Sequence, residues 1–119
     1  MIALSPDTKI YLAIDAIDFR CGIDGVASRC RAILEQDPMC GGLFVFRNCN
    51  KTSIKMLNYD GQGFWLHQKR LSTHRFKWWP SSDTQAVSLT VAQLNVLLWN
   101  GDPQQANLAQ LWKPLNQAA

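Results

Sequence analysis

Three carboxylates near the start of the chain, Asp15, Asp18 and Asp24, are the residues whose type suits catalysis, because clustered carboxylates hold the divalent cations of strand-transfer chemistry. Their placement argues otherwise. Asp18 and Asp24 flank a glycine-containing turn at the start of a helix, where a carboxylate caps free amides, and Asp18 stands two residues from Arg20 as an ion-pair partner. Asp60 lies in a hairpin turn and supplies no third ligand. Four cysteines, Cys21, Cys30, Cys40 and Cys49, sit nine or ten residues apart, without the two-residue spacing of zinc or dithiol sites. They read as reduced thiols. His67 and His74 have no spacing partner, so neither a metal nor another cofactor is expected, and the chain reads as a non-enzyme.

The charge pattern says more. Twelve Lys and Arg against nine Asp and Glu leave a net charge of +3 over 119 residues. Between Arg47 and Lys77 seven basic residues meet one acid, a surplus of six, while the rest of the chain carries a deficit of three. The cations of this stretch are interleaved with aromatic residues, a composition that suits nucleic acid: cations neutralise phosphates and rings stack on bases.

The elements that position these residues follow from periodicity. Residues 9–14 (KIYLAI) suit a strand. Ile23, Val26, Ala27, Cys30, Ile33 and Leu34 fall on one face of a helix over residues 22–36, with Arg29, Arg31 and Glu35 opposite. Residues 43–47 (LFVFR) form a strand, and residues 53–59, 64–70 and 75–79 read as a three-strand meander with Asp60-Gly61-Gln62-Gly63 as its first turn. A short strand at 86–89 leads to a helix that Thr90 and Gln93 start as a capping box and Asn100-Gly101 ends. The expected class is α+β: a mainly antiparallel sheet, with its meander at about 43–80 and an N-terminal strand, packed on two or three helices. Asp102-Pro103 opens a last helix to Lys113. There Leu108, Leu111, Trp112 and Leu115 make a narrow apolar strip that either folds back or meets a partner. Residues 1–101 are one domain and 102–119 a helical extension without an assigned role. The longest apolar run, residues 10–14, is far short of a membrane span, and residues 1–9 lack a targeting pattern, which gives a cytoplasmic address.

On alternating strands one phase of the meander gathers Ile54, Met56, Phe64, Leu66, Phe76 and Trp78 as a core face. The other gathers Lys55, Tyr59, Trp65, His67, Lys69, Arg75, Lys77 and Trp79 as a solvated basic-aromatic face. The scheme requires an odd-numbered first loop, such as residues 61–63. The site expected for nucleic acid is Arg47, Lys55, Lys69, Arg70, Arg75 and Lys77 for phosphates, with Tyr59, Trp65 and Trp79 for stacking.

Three segments resemble the small TnpB-type accessory proteins of bacterial insertion sequences of the IS-sixty-six group. The first is DFRCGIDG (residues 18–25), similar to the family's D-x-R-x-G-x-D-G element. The second runs through FVFRN (44–48), IKMLNYDGQGFWL (54–66), KRL (69–71) and RFKWWP (75–80). The third is LTVAQLNVLLWNG (89–101). The chain departs from that family where Cys49, Asn50 and Lys51 stand in place of a denser basic turn, and where His74 stands in place of a glycine. The resemblance implies a non-catalytic protein of a mobile element, encoded beside a separate transposase and needed for transposition. Two roles fit: a DNA-binding factor, or a module that steadies a transposase complex through protein contacts alone.

Overall fold

The computed structural model describes residues 7–101. The helix and apolar strip expected at 103–115 lie outside the described residues. Five strands form one sheet in the order β4-β3-β2-β1-β5. They are β1 (Ile10–Ala13), β2 (Leu43–Arg47), β3 (Ser53–Tyr59), β4 (Phe64–Arg70) and β5 (Ala86–Leu89). Helix α1 (Ile23–Ile33) connects β1 to the parallel β2, and α2 (Val91–Leu98) follows β5. The other pairings, β1 with β5, β2 with β3 and β3 with β4, are antiparallel, so the α+β class holds.

Both faces of the sheet are covered. On one, Val26, Ala27, Cys30 and Leu34 of α1 pack on Ala13, Phe44, Phe46 and Leu57. On the other, Leu94 and Leu97 of α2 join Ile10, Leu12, Val45, Ile54 and Phe76. This explains the uninterrupted apolar run of β2: a central strand sandwiched by helices has no solvated side, and alternation disappears. Helix α1 keeps the expected buried face. Its N-cap, however, is Gly22, without a side-chain hydrogen bond, and Asp24 lies in the first turn rather than at the cap. Thr90 and Gln93 form the reciprocal capping box of α2 in full.

Two expectations are corrected here. Residues 75–79 do not form a third meander strand. The backbone N–H of Phe76 donates to Lys51 O (2.7 Å), that of Lys77 donates to Asn100 Oδ1 (2.8 Å), and Asn100 Nδ2 donates to Arg75 O (3.1 Å). With these groups satisfied by a turn and a side chain, no ladder to β4 is required. The segment instead lays Phe76, Trp78 and Trp79 against the α2 side of the core.

The second correction concerns parity. Tyr59 pairs with Phe64 and Met56 with His67, so the intervening loop is the four residues 60–63 and odd positions of β4 face even positions of β3. The two sets mix. Lys55, Tyr59, Phe64 and Leu66 turn to the α1 side, whereas Trp65, His67 and Lys69 share the α2 side with Ile54 and Met56.

Candidate nucleic-acid interface

The single basic-aromatic face therefore does not exist, and its members have separate situations. Lys55 is 6% exposed; its Nζ donates to the carbonyls of Phe19 (2.9 Å) and Cys21 (3.2 Å), and it lies 5.0 Å from the centre of the Phe19 ring. It ties the β1–α1 connection to β3 and presents no charge to solvent. Half-buried Arg47 sits 5.7 Å from the Trp79 ring centre, with Nη2 donating to Ile14 O. Trp79 in turn donates from Nε1 to Ala13 O at 2.9 Å. Tyr59 leans on Phe64 at 5.0 Å on the α1 side. These four side chains hold the fold together.

The remaining five, Trp65, Lys69, Arg70, Arg75 and Lys77, gather on edge strand β4 and the sheet end beside it. Three connections bring the cations there. Arg70 pairs with Ser53 at the end of β3, and the next residue, Leu71, donates its N–H to Thr52 O. The Phe76 bond to Lys51 sets Arg75 and Lys77 on either side of a buried anchor, both exposed, next to the β2–β3 turn. Asn48 shapes that turn, its Oδ1 accepting from the N–H groups of Thr52 and Ser53. It also projects Lys51, exposed and at φ 60°. Five cations thus lie about one end of the sheet, Arg70 on its α1 side and Lys69 on its α2 side, and none pairs with a carboxylate of the described residues.

Helix α2 brings an aromatic group to the same place. Lys69 Nζ donates to Leu98 O at the helix C-terminus, where a cation meets the negative end of the helix dipole, and it stands 4.6 Å from the Trp99 ring centre. Trp99 is 82% exposed. Asn100, left-handed at φ 64°, ends the helix and clamps the Arg75–Lys77 backbone. From Lys69 the α2-side row of β4 continues through His67 to Trp65, whose rings are nearly parallel at 12° with centroids 6.1 Å apart. Trp65 is 56% exposed and donates Nε1–H to Asp60 Oδ2 at 2.7 Å. Partial burial lowers the pKa of His67, favouring a neutral ring beside Asn58 Oδ1, 3.2 Å from Nε2. Asp60 also accepts from the N–H groups of Gln62 and Gly63, bonds that hold its carboxyl below the usual range.

The site residues absent from the sequence-based set are Lys51 and Trp99. Lys51 was within reach, since it belongs to the basic stretch. Trp99 was not singled out in the sequence; at 100° per residue it falls off the Val91, Leu94, Leu97 and Leu98 stripe, a signal that could have marked it as outward-facing.

Asp18 binds Arg20 through both side-chain oxygens, with Arg20 Nη2 to Oδ2 at 2.7 Å, and its pKa falls to about 2. Nearby, a side chain on Gly25 would place its Cβ 2.3 Å from Cys21 Cβ. Within the DFRCGIDG segment Asp18, Arg20 and Gly25 thus have structural roles. Among the described residues no group of three or more His, Cys, Asp and Glu is placed to hold a metal ion. No helix among them is long and apolar enough to cross a membrane.

The sequence of this α+β domain is matched by a protein family of mobile elements. The chain belongs to the IS66 Orf2-like family, whose model matches residues 8–107. It is therefore an insertion-sequence accessory protein. The uncharacterized protein y4hO of Sinorhizobium fredii is 35% identical over 117 residues, covering 96% of each chain. The uncharacterized protein y4jC of the same organism is 34% identical over 101 residues, 80% of this chain and 86% of that protein. No solved structure matches the chain.

Proposed function

We propose that the protein supports transposition by binding DNA through the basic end of the sheet, with Lys51, Lys69, Arg70, Arg75 and Lys77 contacting phosphates and the exposed indoles alongside. It acts non-catalytically in the cytoplasm, beside the element's transposase. The observation that supports this reading is that five cations from three separate chain segments lie about one end of the sheet, on both of its faces, without a carboxylate of the described residues to neutralise them. Such a cluster repels itself and is compensated when phosphates replace its counterions.

The test is titration of the protein with a labelled oligonucleotide at two or more salt concentrations. Phosphate-led binding weakens linearly in log–log form, with a slope of roughly −0.7 to −0.9 per phosphate neutralised. Arg75→Ala with Lys77→Ala is expected to flatten the slope by about one to two units. Absence of binding at every salt concentration would overturn DNA binding and favour the protein-contact role, and binding indifferent to both salt and the double substitution would overturn its assignment to these cations.

A further inference from the structure

The two exposed tryptophans contribute nothing to phosphate binding, and they are the least economical residues to leave in water. Packing explains neither. Trp65 has its polar edge occupied by Asp60 and one ring face set against His67, so its remaining exposed surface is apolar π-surface. Trp99 projects from the end of α2, outside both core clusters, with the Lys69 ammonium against its ring. Along β4 the row Trp65, His67, Lys69 spans about 13 Å at the strand rise, and the Trp99 ring lies against Lys69.

We infer that this row takes an unpaired nucleic-acid strand, the rings of Trp65 and Trp99 stacking on splayed bases while Lys69 and the adjoining Arg75 and Lys77 hold its phosphates. The inference rests on the DNA-binding reading and adds the substrate class. Duplex DNA keeps its base faces inside the helix, so exposed rings gain no stacking from it, whereas every unpaired base offers a π-face. Lys69 has two further donors beyond the one it gives to Leu98 O, so its structural bond leaves it free to meet a phosphate. Asp60 sits at the far end of the row, where its charge fixes the Trp65 ring without opposing the phosphates at Lys69.

The experiment compares an oligothymidylate of about 16 nucleotides, the upper range for one small binding domain, with a duplex of equal length at equal salt. Expected is tighter binding of the single strand, with quenching of tryptophan fluorescence. Trp99→Ala is expected to weaken single-strand binding about 5-fold to 150-fold, the range for loss of one stacked base, and Trp99→Phe to restore most of it. The loss should be larger for the single strand than for the duplex. Because Trp99 is outside the core, its variants keep their folded stability, and Trp65→Ala set against Trp65→Phe repeats the test at the second ring. Equal affinity for both probes, insensitive to the tryptophan substitutions but still lost with Arg75 and Lys77, would overturn the single-strand inference and leave DNA binding standing. Failure of both probes to bind would overturn the underlying reading as well.

Discussion

Asn100 joins the end of α2 to the Arg75–Lys77 segment with one small side chain, and substitution there separates backbone from side-chain contributions. Its Oδ1 accepts from Lys77 N–H, its Nδ2 donates to Arg75 O, and its backbone holds φ 64°. Asn100→Gly removes both hydrogen bonds but tolerates the left-handed conformation; at about 1 kcal/mol each, the expected loss is about 2 kcal/mol. Asn100→Ala removes the same bonds and adds left-handed strain, bringing the loss to about 3 kcal/mol. For a urea slope of about 2 kcal/mol per molar, the midpoints should fall by roughly 1 M and 1.5 M. Urea unfolding followed by circular dichroism and by fluorescence measures both. Because the clamp also sets the Arg75–Lys77 segment beside Trp99, both variants should lose nucleic-acid affinity under conditions where they remain folded. Losses below 0.5 kcal/mol for both variants, or an alanine variant as stable as the glycine one, would refute the reasoning.

Lys55→Ala should cost about 2–4 kcal/mol, since it leaves a cavity and strips the Phe19 and Cys21 carbonyls of their donor, yet leave the affinity of the folded protein for oligonucleotides unchanged. His74, at φ 68°, occupies the position where the resembling family has glycine, so His74→Gly should raise stability by about 0.5–1 kcal/mol in the same urea assay. Burial pushes the Cys30 thiol up to about 12, so at pH 8 a thiol reagent should modify the exposed Cys40 and Cys49 in the native protein and reach Cys30 only on unfolding. The same shift has a sign for stability. The unfolded chain releases the Cys30 proton near the ordinary thiol pKa, so stability should decline as pH rises from about 9 toward 12; a flat profile for wild type relative to Cys30→Ala would refute it.

The elements were legible because each is announced by local chemistry: the 3–4 spacing through Val26, Ala27, Cys30 and Leu34, the glycine-rich turn after Asp60, the capping box of Thr90 and Gln93. The sharing of faces was not, because it depends on a single count in the 60–63 loop, and one residue of difference exchanges every side chain between the two sides. Nor does local pattern show that Arg75–Trp79 is held by Lys51 and Asn100, the latter more than twenty residues away. Lys55 illustrates the physical limit. A lysine in a strand reads as solvent-facing, and only the tertiary arrival of two carbonyl oxygens makes its burial tolerable. The cationic stretch was legible as composition, and part of it reassembled at the end of the sheet, with Trp99 added by a helix terminus that no strand pattern contains.

The bond from Lys69 to the last turn of α2 ties edge strand β4 to the helix end, and Asn100 ties the same end to the Arg75–Lys77 segment. Unwinding of that turn would free the Lys69 ammonium, swing the indole away and release the Arg75–Lys77 strap in one movement. Lys69, Trp99 and the strap therefore stand or fall as one unit, with the last turn of α2 as its keystone.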